Sequence, residues 1–425
     1  MIKDHEQLLL DVQKKSNNVI THVRDVKYLK EEIESYKDLK IGFNTLRRLF
    51  GFLEKTKPTL ATLNTLACYL EYRSYASYLR NKSNFDAWYF QQKLLLIQQK
   101  NNLNTTDFSI INEGIQHAKN IVYVAYFVSN LIHKNKLSTL HDFFKKINFK
   151  NLRDSDLLQF ATIITHSFYS VAPARSLALY KDIMQYESFR NSVPLLYVDY
   201  SHLNGVYFDV LGLIEKNSQQ NSDLLFVALM RFYKQFYTAA LPESEPLEFP
   251  ENFNKLHPVL QGRYFGYKIM VSNYVGRPLK KLLFDTCKNV KIYLFVEEVL
   301  PALIIKEEYQ ILSALSEKYY EEIFESVHWT SKTINTIYLI VLATISWEKG
   351  ALQNAKKNLE LVNLEEVELS YYEYLSLFYY LTKLKVSHAE NARKKNAAAH
   401  IILKQLVLKT GFVRFLGASE KYILN

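Results

Sequence analysis

The sequence predicts an all-α protein, a small N-terminal bundle followed by an α-solenoid of helix pairs. Three observations carry that expectation. Glycine and proline number 11 and 9 in 425 residues, under half their combined average share of about 12%, and turns and hairpins need these residues most. Apolar residues recur at three- and four-residue intervals over long stretches, the period of one helix face. Hydrophobic residues make up 48% of the chain, enough to build buried cores and too many for a disordered polymer. The length exceeds one ordinary core, so two or three units of roughly 150 residues are expected.

Residues 1–82 read as a compact unit of four or five short helices, although 4–16 make no convincing first helix. Val26, Leu29, Ile33 and Tyr36 share one face, and Leu46, Leu49 and Phe50 repeat the pattern on the next helix. Pro58 is expected to open a third, with Leu60, Leu63, Leu66, Ala67 and Leu70 on its apolar side, since proline is tolerated in a first turn. A short helix with Tyr75, Tyr78 and Leu79 closes the unit, and RNKSNFD, 80–86, reads as its exit linker. From about residue 87 longer helix pairs follow, in two halves, 87–240 and 259–425. Between them, LPESEPLEFPENFNKLHP (241–258) holds four of the nine prolines and is expected to be a hinge. Candidate helix caps are Thr105 or Thr106 and Asp154 or Ser155, whose side chains accept from otherwise free backbone N–H groups.

In residues 336–365, Ala343, Gly350, Ala355, Leu359 and Val362 fall where a tetratricopeptide repeat wants a small residue, a turn glycine, a second small residue and two large apolar ones. Residues 161–184 show a similar helix, turn and helix, with Ala178 at the second small position. The region resembles a degenerate tetratricopeptide array, and the resemblance implies a helical surface that binds a protein or peptide.

Several function classes find no support in the residues. Cys68 and Cys287 make neither a disulfide framework nor a metal pattern, so a reducing, cytoplasmic setting is expected. The longest apolar runs, 121–132 and 336–347, are 12 residues each; a membrane helix needs about 20, so both are read as buried helices and no membrane partner is expected. The 11 histidines form no HExxH, and GxxxxGK[ST], GxGxxG and GxSxG are absent. No enzyme activity, cofactor or metal is therefore expected. Acidic groups such as Glu321, Glu322 and Glu325 read as solvated faces. Tyr319, Tyr320, Tyr371, Tyr372 and Tyr374 suit either core packing or a concave peptide groove.

Charge is the positive signal. The net charge is +10, and residues 1–82 hold 15 Lys and Arg against 10 Asp and Glu, half of the excess in about a fifth of the chain. Lys40, Arg47, Arg48, Lys55 and Lys57 cluster against Glu54 alone, a pattern suited to a phosphate backbone. If Leu46, Leu49 and Phe50 face inward, Thr45, Arg47 and Arg48 point away from the core, with Asn44 at the cap. Arginine bonds guanine bidentately, asparagine pairs with adenine, and threonine reaches a base or a phosphate. Lys55 and Lys57, just past the helix, suit phosphates.

Residues 28–79, with "TLRRLFG", "KPTLATLNTLACYL" and "YRSYASYL", resemble the lambda-repressor-like (Cro/C1-type) helix-turn-helix domain. By that resemblance Asn44, Thr45, Arg47 and Arg48 are base or backbone readers, and the chain is a transcriptional regulator. Its expected partners are double-stranded DNA, a protein or peptide ligand of the repeats, and a second copy of itself. The chain departs from the family in its long link, SYKDLKIGFN, and in Glu31, Glu32 and Glu34, which would repel phosphate if they faced DNA.

Overall fold

The computed structural model describes all residues except 1–3, 37–38, 55, 82–85, 101, 150–151, 241–246, 251, 273–275, 326–331 and 425. The protein is all-α: among the described residues every regular element is helical. The chain divides into two compact units, Met1–Gln99 and Lys100–Asn425.

Unit 1 contains α1 (Asp4–Lys15), α2 (Val23–Ser35), α3 (Phe43–Leu49), α4 (Leu60–Tyr69), α5 (Tyr75–Asn81) and α6 (Asp86–Gln99). Residues 4–16, unconvincing by pattern, do form a helix, and Leu8, Leu9 and Val12 of α1 join the core. They meet Val26, Leu29 and Ile33 of α2, Leu46 of α3, Leu66 and Ala67 of α4, and Tyr78 of α5. Each such side chain removed from water contributes roughly 1.5–3 kcal/mol. Polar ties then set the register. The Tyr78 hydroxyl donates to Asp11 at 2.7 Å, the Tyr69 hydroxyl donates to Glu32, and Lys15 donates to the Tyr69 carbonyl at 2.6 Å. Helix α4 starts two residues later than a helix opened by Pro58 would: Thr59 is its cap, accepting from the Thr62 N–H at 3.3 Å, and Pro58 lies outside. The hydroxyl satisfies a free N–H, which Pro58 has no group to do. Most of the expected exit linker lies outside the described residues, and α6 beyond it groups with unit 1.

Unit 2 contains α7 (Thr105–Ile115), α8 (Ile121–His133), α9 (Leu137–Lys146), α10 (Asp154–Tyr169), α11 (Pro173–Ile183) and α12 (Glu187–Ser192). It continues with α13 (Val206–Asn217), α14 (Asn221–Tyr237), α15 (Pro258–Val271), α16 (Arg277–Cys287), α17 (Ile292–Ile305) and α18 (Tyr309–Lys318). The remaining helices are α19 (Lys332–Glu348), α20 (Leu352–Glu360), α21 (Tyr372–Ala389), α22 (Arg393–Thr410) and α23 (Arg414–Ser419). Successive helices pack in pairs, α13 with α14, α19 with α20 and α21 with α22, and α17 bridges α15 and α19. The apolar runs expected to be buried lie in α8 and α19, and no described helix is long and apolar enough to cross a membrane. The cap of α7 is Asn104, one residue before Thr105: it accepts from Asp107 N–H at 3.0 Å while the Asp107 carboxylate accepts from Asn104 N–H at 2.9 Å, a reciprocal box. Arg153 precedes α10 and forks onto Asp156 at 2.9 Å.

Helices α15 and α17 approach each other closely. A Cβ added to Gly262 would sit 2.1 Å from the Phe295 carbonyl oxygen, and one at Gly266 would sit 2.0 Å from the Tyr233 hydroxyl. Only glycine, repeated after one turn, lets these backbones meet. Beside that contact a loop, 193–205, runs through the interior, where unpaired backbone groups would be costly. Two of its groups find partners there: Ser201 N–H donates to the Ser370 carbonyl at 2.8 Å, and the Tyr207 hydroxyl donates to the Pro194 carbonyl at 2.7 Å. Tyr200 stacks on Tyr374 with ring centroids 4.4 Å apart, and its hydroxyl donates to Glu298. Glu298 also accepts from Arg263, and both partners are almost fully buried.

The two Tyr200 contacts link residues 98 and 174 positions apart. Arg414 on α23 likewise donates to the Phe236 carbonyl of α14 at 2.8 Å. A strict solenoid confines contacts to neighbouring repeats, so unit 2 closes upon itself more than that architecture does. The expected hinge is docked where it is described: Leu247 N–H donates to the Tyr267 hydroxyl at 2.7 Å, and Phe249 packs on Phe253 and Tyr264. Ala343, Ala355 and Leu359 share one core with Val386, and Gly350 takes φ +74° in the turn between α19 and α20. Ala178 behaves differently from its counterpart: it faces solvent, and Ser176, Leu179, Tyr180 and Ile183 form the buried side of α11. The five tyrosines do not line one surface. Tyr374 is buried, with its hydroxyl 2.9 Å from that of Tyr237, Tyr319 is buried, and Tyr320 and Tyr372 are exposed.

Candidate nucleic-acid interface

The basic segment forms α3, seven residues long, and its two ends explain why it forms at all. Gly42 caps it in an extended conformation, and the Leu46 N–H donates to the Gly42 carbonyl at 3.1 Å. At the other end Gly51 takes φ +83°, while Phe52 N–H donates to the Arg47 carbonyl at 2.8 Å and Gly51 N–H to that of Arg48 at 3.3 Å. This is the Schellman closure, which needs a left-handed residue after the cap. A helix this short is marginal alone; Leu46 is buried, and Phe43, Leu49 and Phe50 pack against the unit 1 core.

With that side anchored, Asn44 and Arg48 are exposed and Thr45 is half-buried. Arg48 makes no hydrogen bond or ion pair among the described residues, and neither does Lys57, exposed in the loop before α4. Arg47 departs from the expectation that it points away. It is half-buried, its Nη1 donates to Asn44 Oδ1 at 3.3 Å, and its guanidinium lies 5.6 Å from the centroid of the Phe43 ring. Phe43 sits four residues earlier on the same face, within reach of a cation–π contact. The structure thus brings Asn44 and Arg47 together and leaves Arg48 and Lys57 in water. Lys55 lies outside the described residues.

The acids of α2 are partly neutralised. Glu32 accepts from Tyr69, Glu34 pairs with Lys30, and Glu31 is exposed. The hydrogen bond from Lys30 holds the Glu34 carboxyl below its ordinary range. A groove of about 600 Å³ opens beside the start of α3, lined by Glu34, Leu39, Lys40, Ile41 and Gly42. Lys40 belongs to the basic cluster of the sequence, and only the fold places it at this groove.

Elsewhere, Asp199 is fully buried and holds His202 Nδ1 at 2.9 Å while accepting from Tyr169. That hydrogen bond raises the pKa of His202. Cys287 is buried, and desolvation pushes its thiol up to about 12, away from reactive thiolate chemistry. No group of three or more His, Cys, Asp or Glu suited to a metal occurs among the described residues. Compared with known proteins, the chain matches no described family, no curated protein and no solved structure.

Proposed function

We propose that this protein is a DNA-binding transcriptional regulator, in which unit 1 meets double-stranded DNA through the outer face of α3 and unit 2 is a tetratricopeptide-like domain that binds a protein or peptide. The observation that carries this reading is Arg48, a guanidinium free in water on a helix whose other side is fastened to the core. Asn44 and Thr45 precede it on the same helix, where recognition helices place their base contacts. Lys57 suits a phosphate. The lambda-repressor-like resemblance of residues 28–79 supports the same assignment.

The test is a mobility-shift titration with genomic fragments, including the gene's own upstream region. Changing both Arg47 and Arg48 to Ala should weaken binding by about tenfold or more, since each base-reading arginine contributes about 1–3 kcal/mol. Lys57→Ala should weaken all sequences alike and lower the salt slope by about 1. Affinity unchanged by the double arginine variant refutes the DNA reading.

A second reading is a protein-interaction scaffold without DNA binding. The retraction of Arg47 onto Phe43 and Asn44 favours it, because a reader must give up those contacts to reach a base. Under this reading no fragment binds more tightly than random duplex.

A further inference from the structure

Unit 2 carries two surfaces of opposite charge, each with leucine or isoleucine in water. Helix α22 contains Arg393, Lys394, Lys395, Lys404 and Lys409 and no Asp or Glu. Residues 358–382 contain Glu360, Glu365, Glu366, Glu368 and Glu373 and no Lys or Arg.

On α22, Asn396, Ala399, Leu403 and Val407 face inward. The opposite side leaves Ile401 58% and Leu408 85% exposed, seven residues apart and therefore on one face, with Lys394 and Lys404 beside them. On the acidic surface, the turn between α20 and α21, Leu361 is 59% and Leu369 61% exposed, near exposed Glu360 and Glu365. Internal pairing uses little of this charge. Lys409 pairs with Glu373 and Glu366 pairs with Lys332 at 3.0 Å, whereas Lys394, Lys395, Lys404, Glu360 and Glu365 make no ion pair among the described residues. Large apolar side chains exposed beside unpaired charge mark an interaction surface.

We propose that the outer face of α22 docks onto the 360–369 turn of a second copy of this chain, the two copies exchanging the same contact about a two-fold axis. Such an axis makes each copy give one basic and one acidic surface. Pairing α22 with α22 would instead set five cations against five. A bilayer suits the face poorly, since interfacial helices bury a broad side rich in Trp, Phe and Leu and α22 has no aromatic residue. The assembly stands whether or not unit 1 binds DNA.

Sedimentation velocity of the full chain tests it. The wild type should be a dimer in low salt and dissociate as salt rises, its dissociation constant increasing by about tenfold or more as screening grows. Lys394→Glu with Lys404→Glu should be monomeric, and so should Glu360→Lys with Glu365→Lys, each with an unchanged circular dichroism spectrum. Mixed in equal amounts the two variants should pair again, because the reversed charges meet across both contacts. The proposal is overturned by a monomeric wild type, by reversal variants that still dimerise, or by a mixture that stays monomeric. A monomeric wild type that binds phosphatidylserine vesicles or an acidic helical peptide would assign the face to that occupant and overturn it equally.

Discussion

The two units handle charge in opposite ways. Unit 1 packs its core from aliphatic and aromatic residues and leaves Arg48, Lys57 and Lys40 in water. Unit 2 takes Arg263, Glu298 and Lys385 into its interior. The Lys385 ammonium lies 4.9 Å from the ring centroid of Tyr309, 5.4 Å from Trp347 and 5.3 Å from Tyr422, and it donates to the Tyr309 hydroxyl. A cation in water is available to a partner, whereas a buried one is committed to its own fold because withdrawing its partner strands a charge. A partner would therefore meet the small unit at its unpaired cations and the large one at its surface, not at the buried network.

The largest effect is expected of Glu298→Ala. It leaves Arg263 buried and unpaired, so unit 2 should lose about 3–5 kcal/mol, read by urea unfolding, with hydrogen exchange placing the loss in α15 and α17. The paired change Arg263→Met with Glu298→Leu should cost far less, because it strands nothing. A cost for the double variant as large as for Glu298→Ala would mean that the ion pair is not what the region depends on.

Two glycines sharpen the contrast further. Gly262→Ala drives a methyl toward the Phe295 carbonyl, which is backbone and cannot swing away, and should destabilise unit 2 by about 1–3 kcal/mol. Gly51→Ala meets a conformational obstacle instead, φ +83°, and should destabilise unit 1 by about 1–2 kcal/mol while loosening α3. Thermal melts of both variants, with exchange rates at 43–52 for the second, check them; equal protection of α3 in Gly51→Ala would remove that glycine from the account.

pH separates the units more gently. In unit 2, burial pushes the Glu297 carboxyl up to about 8, with Glu298 adding to the shift and Arg263 opposing it. A carboxyl raised by folding gives stability that is full below the ordinary carboxylate range and lost as pH rises toward 8. Burial pulls the Lys385 amine down to about 8 against the attraction of Glu307, so its contribution grows as pH rises above 8 toward the ordinary lysine range. Glu297→Gln should therefore flatten the decline in unfolding midpoint between about pH 5 and pH 8, and Lys385→Met should flatten the rise above it. Unchanged slopes in both variants would show that these groups titrate as they do in the unfolded chain.

Much of the candidate site was legible in advance, because α3 is written at helical spacing: Leu46, Leu49 and Phe50 turn toward the core as their periodicity implies, and Asn44 and Arg48 turn away. Arg47 is half-buried where its spacing predicts a side chain pointing away. It has the same spacing signal as Arg48, and only the neighbouring Phe43 ring and Asn44 amide draw it back. Helix α1 is hard to read from pattern for a similar reason, since Leu8, Leu9 and Val12 form a narrow stripe whose partners lie on other helices of the same core. Ala178 shows the limit of motif offsets: a small residue at the right position still faces solvent when the helix is rotated to bury Leu179 and Tyr180.

The all-helical class, the basic amino-terminal segment and the faces of its helices follow from period, breaker content and charge within a few residues. Tertiary structure alone decided the Gly262 and Gly266 contact, the threading of 193–205 through unit 2 and the meeting of Arg263, Glu298 and Tyr200. The buried charges alone join positions 35 to 98 residues apart, and no local pattern records which distant group a buried charge will find.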